Sequence, residues 1–188
     1  MADGNAMQAG VRKLSASEAG DDELMARVAG GDGDAFTDIV RRYQRPALQI
    51  AYRMVGCPDA AQDVVQNAFL KIFCKARAYR TRGRFRAFFY RVVLNEARMK
   101  LRARKRRRNM HERLAGERTQ EVHVPSPEPG VWEAVGRLRA KHKVVIVLRY
   151  TGDLSTEEIA EILRIPAGTV KSRLFAALRK LRRMLEVA

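Results

Sequence analysis

Cysteine occurs only twice in the 188 residues, histidine three times and tryptophan once. Two thiols, Cys57 and Cys74, are too few for a disulfide scaffold, and no C-x-x-C or H-x-x-x-H spacing is present to hold zinc. Neither a metal nor a cofactor is expected. No run approaches the ~18 apolar residues of a membrane span, and the first twenty residues lack the apolar segment of a secretory signal. These absences predict a soluble, cytoplasmic chain without membrane insertion. Acid is scarce: 21 Asp and Glu stand against 37 Lys and Arg, a formal net charge of +16. Such a surplus points to a polyanionic partner, nucleic acid before anionic lipid. A nucleic-acid hydrolase would need a carboxylate cluster for metal, or a nucleophile with its base. The acids here are scattered over helix starts and outer faces, so no catalytic residue is assigned and the chain is not expected to be an enzyme.

Alternating strand patterns are also missing, which leaves an all-α protein whose 46% hydrophobic content is enough for packed cores. Residues 1–20 have little periodicity and read as a disordered extension. A first helix starts at Asp21-Asp22, carries Leu24, Met25 and Val28, and stops at Gly30-Gly31. Asp34 is the expected cap of a second helix, which Pro46 should kink or restart. Pro58 suits the first turn of a third helix bearing Val64, Val65, Ala68, Phe69, Ile72 and Phe73, the clearest 3.6-residue stripe in the chain. Residues 78–84 read as a loop, followed by a helix from Phe85 to about Ala103. The prolines Pro125, Pro127 and Pro129 then interrupt any helix. The expected organisation is one helical domain over 21–103, a flexible basic and proline-rich linker over 104–130, and a second helical domain over 131–188.

The second domain contains a recognisable punctuation. Ser155-Thr156-Glu157-Glu158 fits a capping box, Ile159, Ala160 and Leu163 form one stripe, and a short turn over 164–168 leads to a helix expected to open at Thr169, with Val170, Leu174 and Leu178 inward. Two helices joined so tightly make a helix-turn-helix. Residues 153–161 hold four acids and no base, whereas residues 164–183 hold seven bases and no acid, so the second helix is the one suited to a DNA groove. Lys171, Ser172, Phe175 and Arg179 share a face, and Thr169 lies at the end that usually reaches base edges.

The first domain carries a different signal. Residues 71–91 contain eight Lys and Arg and no acid, interleaved with Phe73, Tyr79, Phe85, Phe88, Phe89 and Tyr90. Basic grooves follow phosphates and aromatic faces stack bases, so this composition suits single-stranded DNA. Phe73, Phe85 and Phe89 are expected in the core, and Tyr79 stands between a core role and a DNA contact. Asp63 and Gln66 share an outer helix face. RARKRRR at 102–108 resembles a nuclear-import patch by composition alone, but at the end of such a helix it suits phosphates.

The stretch LSTEEIAEIL followed by IPAGTVKSRLFAALRKLRR resembles the upstream-element reader of bacterial sigma factors in the extracytoplasmic-function group of the sigma-70 family. DVVQNAFLKIF at 63–73 is similar to that group's polymerase-binding helix, FFYRVVLNEAR at 88–98 to its promoter-melting helix, and GDGDAFTDIVRRYQ at 31–44 to its opening helix. The resemblance implies sigma regions 2 and 4 on either side of the linker, and a non-enzymatic subunit acting in a bacterial cytoplasm. Its implied partners are core RNA polymerase, through the beta-prime clamp and beta flap, and promoter DNA; an anti-sigma factor is a further partner it raises. By the same resemblance Asp63, Gln66 and Asn67 face polymerase, with Asn67 replacing a usual glutamate. Tyr79, Arg80, Arg84, Phe88, Arg91 and Asn95 meet the downstream, minus-ten element. Arg149, Thr169, Lys171, Ser172, Arg173, Phe175 and Arg179 meet the upstream, minus-thirty-five element. The competing reading is a stand-alone helix-turn-helix regulator that binds duplex DNA without polymerase.

Overall fold

A computed structural model describes residues 19–80, 83–115 and 130–186. Among these residues the chain forms eight α-helices, one 3-10 turn at Ala76–Ala78 and no strand. The N-terminal lobe comprises α1 (Asp21–Ala29), α2 (Gly33–Val55), α3 (Pro58–Cys74) and α4 (Phe85–Ala115). The C-terminal lobe comprises α5 (Val131–Gly136), α6 (Ala140–Tyr150), α7 (Thr156–Leu163) and α8 (Ala167–Glu186). The extension over 1–18 and the proline cluster lie outside the described residues.

Local chemistry sets most of these limits. Asp32, not Asp34, caps α2: its Oδ1 accepts from the Ala35 amide at 3.1 Å, while Arg27 donates to Oδ2 through Nε at 2.9 Å and a terminal nitrogen at 2.8 Å. One carboxylate therefore closes the end of α1 and the start of α2, a double duty that Asp34, inside the first turn, cannot perform. Pro46 neither ends nor restarts α2, although it has no N–H for the preceding turn. Tyr43, Ala47, Ile50 and Ala51 are buried on either side of it, and that packing holds the helix through the lost bond. The helix ends at Gly56, whose φ of +77° is a left-handed cap.

Helix α4 runs well past the expected end near Ala103, reaching Ala115. No Gly or Pro occurs between Gly83 and Gly116, and the Arg, Lys, Ala and Met residues between them are good helix formers. The basic run expected in the linker is therefore helical. The core of this lobe is aromatic: Tyr43 and Phe89 ring centroids lie 4.6 Å apart, and Phe69 and Phe89 5.3 Å. Phe85 and Phe89 are almost wholly buried, as expected, but Phe73 is 52% exposed and meets the cluster through Phe36, with ring centroids 5.0 Å apart. The α3 stripe is thus complete by Ile72, and Phe73 falls one position beyond the buried arc.

In the second lobe the capping box forms as expected, with the Glu158 amide donating to Ser155 Oγ at 3.1 Å and the Ser155 amide donating to Glu158 Oε2 at 2.7 Å. Arg164 takes the left-handed φ of +55° that ends α7. Helix α8 opens at Ala167, two residues before Thr169, because the Pro166 carbonyl already accepts from the Thr169 and Val170 amides. Its buried positions are Val170, Ala177 and Leu181, with Leu174 half-buried; Leu178 is 44% exposed rather than inward. The inward row steps by four, three and four, and small Ala177 lets the neighbouring helices close in.

The lobes pack together, α4 against α7 and α2 against α5 and α6. Lys143 Nζ donates to the Met54 carbonyl at 3.1 Å in the last turn of α2, and its burial pushes the ammonium pKa down. The Arg53 guanidinium lies 4.1 Å from the centroid of the Trp132 ring. Gly152 permits the approach: a Cβ there would lie 2.9 Å from the Leu148 carbonyl and 3.1 Å from Ile50 of the other lobe.

Removing the Phe89 ring should cost about 3–5 kcal/mol of stability, whereas Phe73→Ala should cost under about 1 kcal/mol; chemical denaturation of the two variants checks the ranking. The amide of Ala35, and then Arg27, hold the Asp32 carboxyl below its ordinary value of 3.8. What the carboxylate contributes is then fully present above that value and lost as pH falls through the lowered one. Asp32→Asn, which keeps a cap but not the charge, should flatten that acid limb in thermal melts across pH 2–5.

Candidate nucleic-acid and polymerase interfaces

Three surfaces gather the residues singled out in the sequence. The first is the outer face of α8. Lys171, Ser172, Phe175 and Arg179 are all exposed, Phe175 by 69%, and none is consumed by the lobe contact. Ser172 Oγ donates to the Thr169 carbonyl at 3.0 Å, leaving its lone pairs outward. Arg173 and Thr169 are half-buried at the edge of this face. Arg149 belongs to a different task in part, since it donates to the Leu154 carbonyl at 2.9 Å and braces the turn between α6 and α7.

The second surface is built by Tyr79, Arg80, Arg84 and the first half of α4. The Tyr79 ring lies 5.3 Å from Phe88 and 5.8 Å from Phe85, and its hydroxyl donates to Asp22 at the start of α1. Burial, then that bond, raises its pKa, so the phenol keeps its proton throughout the working pH range. Tyr79 is therefore both: a half-buried wall of the cluster and a residue at its rim. Arg80 and Asn95 are exposed, and Phe88 is half-buried behind Tyr79.

Arginines on this surface meet α7. Arg84 Nε lies 3.4 Å from Glu161 Oε1 and Arg86 lies 2.6 Å from Glu158 Oε1. Arg91 donates to the Glu161 carbonyl at 3.0 Å and to the Ile162 carbonyl at 3.3 Å. A cation at the C-terminal end of a helix faces its negative pole. Burial, and then Arg164 nearby, lower the Arg91 pKa, but the guanidinium remains charged. Sequence reading placed Arg84 and Arg91 but missed Arg86 and its acidic partners. The available signal was complementarity: the acid-free segment 71–91 and the base-free segment 153–161 are the two that touch.

The third surface is the outer side of α3, where Asp63, Gln66 and Asn67 are exposed together. Asp63 Oδ2 and Lys100 Nζ are 2.5 Å apart, and Lys71 Nζ reaches the buried Glu96 carboxylate at 2.6 Å. Both pairs tie α3 to α4. Beside them a groove of about 390 Å³ is lined by Val64, Asn67, Met99 and Arg102, among others. Apolar Leu70 and Phe73 extend the same side, 61% and 52% exposed.

Comparisons with known proteins match both lobes. Residues 39–107 match Sigma-70 region 2, and residues 130–181 match Sigma-70, region 4. The chain is 31% identical over 174 residues to the ECF RNA polymerase sigma factor SigW of Bacillus subtilis, covering 85% of this chain and 93% of that protein. It is 34% identical over 172 residues to the ECF RNA polymerase sigma-E factor of Haemophilus influenzae, covering 84% and 90%. Among solved structures it is similar to CnrH in complex with the cytosolic domain of CnrY, with a TM-score of 0.67 and 26% identity over 89% of this chain and 97% of that one. The sigma factor RpoE from Bartonella quintana shares the fold, with a TM-score of 0.67 and 23% identity over 81% of this chain and 97% of that one. Two lobes in the expected order, the match of both regions and relatives aligned over nearly their full length lead to one assignment: the chain belongs to the extracytoplasmic-function sigma factors of the sigma-70 family, which direct RNA polymerase to promoters.

Proposed function

We propose that promoter reading in this protein is divided among the three surfaces and gated by the lobe contact. The outer side of α3, with Asp63, Gln66 and Asn67, docks on core RNA polymerase in the cytoplasm. Helix α8 enters the major groove of the minus-thirty-five element through Lys171, Ser172, Phe175 and Arg179, with Thr169 and Arg173 at the edge and Arg149 beside the phosphates. The α4 surface captures the melted minus-ten strand, with Asn95 offering an amide that can both donate to and accept from a base. Tyr79 and Phe88 supply the flat wall against which an extruded base can rest, and Arg80, Arg84 and Arg91 attract its phosphates. The chain selects and opens DNA and leaves the chemistry to polymerase.

The observation that carries this reading is that one chain presents two DNA-suited faces, of which only one is open. Helix α8 is free, whereas Arg84, Arg86 and Arg91 are occupied by the acidic helix α7. Carboxylates at Glu158 and Glu161 sit where DNA phosphates would, so the lobes must part before the minus-ten strand can bind. A stand-alone regulator needs only the free face and gains nothing from the covered one. An anti-sigma factor of the kind the family resemblance raises would act by holding this closed form.

In transcription with core polymerase, Lys171→Ala should weaken initiation most on promoters that depend on the upstream element, by about tenfold for a lost contact of ~1–3 kcal/mol. Asn95→Ala should impair opening while leaving polymerase association intact; loss of association instead would remove Asn95 from the DNA surface. Glu158→Lys with Glu161→Lys should enlarge the radius of gyration of the free chain in small-angle scattering and tighten its binding to single-stranded promoter DNA. An unchanged radius would refute the gate without touching the family assignment.

A further inference from the structure

Tyr79 is held by contacts that all lie within the N-terminal lobe. It ends the 3-10 turn, where its amide donates to the Lys75 and Ala76 carbonyls at 3.0 and 3.1 Å and its own backbone turns extended, with φ of −70° and ψ of 126°. Its ring stands edge-on to Phe85, at an interplanar angle of 88°, and lies tilted by 38° to Phe88. Its hydroxyl donates to Asp22 Oδ1. Segment 71–91 contains no acid, so a carboxylate acceptor has to come from another element, and α1 brings it. Helix α1 is itself firmly seated. Leu24 and Met25 are almost wholly buried, Arg42 reaches Asp21 Oδ1 at 2.9 Å, and the Tyr43 hydroxyl donates to Asp21 Oδ2. The first turn of a helix favours carboxylates, and here two successive ones receive two phenols: Asp21 that of Tyr43 in the core, Asp22 that of Tyr79 at the rim.

We infer that Asp22 is a positioning residue for base capture: it holds Tyr79 in the orientation in which the exposed part of the ring receives a base extruded from the melted strand. This rests on the reading of Tyr79 and Phe88 as the wall for that base. A half-buried aromatic fastened only by packing can change rotamer, whereas a hydrogen bond at the far end of the ring fixes both of its side-chain torsions. A wall immobilised before the strand arrives loses less freedom on binding. A carboxylate at the edge of a surface suited to phosphates opposes binding by its charge, and fixing the ring is a function that offsets this. Arg84, Arg86 and Arg91 must leave their α7 partners when the lobes part. Asp22 and Tyr79 belong to one lobe, so their bond is kept in the open form that meets DNA.

The test uses holoenzyme assembled from the full chain and core polymerase, and measures its affinity for the minus-ten single strand of a promoter located by mapping its transcription start sites. Tyr79→Phe keeps the ring and removes the donor, and Asp22→Ala removes the acceptor. Each should weaken binding by roughly three- to tenfold, the range of one net hydrogen bond. The double variant should lose no more than either single one, because both delete the same bond. Strands with an abasic site at each position in turn supply a readout that a general loosening of the lobe would not give. At one position the wild type and both variants should bind alike, since no base is there to be received. Association with core polymerase and with minus-thirty-five duplex should be unchanged. Tyr79→Phe decides the matter alone should Asp22→Ala fail to fold. Wild-type affinity in Tyr79→Phe, additive losses in the double variant, or a loss that persists at every abasic position would each overturn the inference. A wild-type holoenzyme indifferent to an abasic site at every position would instead overturn the reading of the wall on which it rests.

Discussion

The contact between α7 carboxylates and α4 guanidinium groups is the constraint around which the molecule is organised. A chain of net charge +16 must keep two cationic lobes together, and it does so in part by turning the acidic edge of α7 toward Arg84, Arg86 and Arg91. Partly exposed ion pairs of this kind contribute about 0.2–1 kcal/mol each and weaken with salt. The Arg53–Trp132 stacking and the fit at Gly152 add to the closure. The sum is a few kcal/mol, whereas inverting a 99:1 population takes about 5.5 kcal/mol of differential binding. Docking on a much larger partner can supply that, so under the proposed gate the closed form covers the α4 surface without locking it.

The same arithmetic separates the two lobes' roles. The aromatic cluster around Phe89 and the α8 row of Val170, Ala177 and Leu181 bury side chains whose loss costs several kcal/mol each, so each lobe is rigid within itself. The surface between them combines a few ion pairs, cationic side chains on carbonyl groups, the Arg53–Trp132 stacking and the contact of Ile50 with Gly152. Stiff lobes with a weak joint are what reading two separated DNA elements requires.

How much of this could be read in the sequence follows from the range of the interactions. The capping box at Ser155, the Pro58 start of α3 and the stop at Gly30 are local devices, and each is where the sequence places it. The family words carry the two-lobe order. Misses arise where a distant group decides. Arg27 draws the α2 cap from Asp34 to Asp32, buried neighbours carry α2 through Pro46, and the arc of α3 leaves Phe73 outside. Helix α4 outruns its expected end because like charge alone does not break a helix that lacks Gly and Pro. The lobe contact depends on residues seventy positions apart, such as Arg91 and Glu161, and no periodicity encodes such a pairing.

Trp132 has a consequence of its own. It is the chain's one tryptophan, and the guanidinium that covers its ring belongs to the opposite lobe. Indole emission responds to nearby charge and to water, so the unlabelled protein carries a native optical gauge of the distance between its halves. Opening of the free chain by salt can therefore be followed in real time, with no dye and no engineered cysteine.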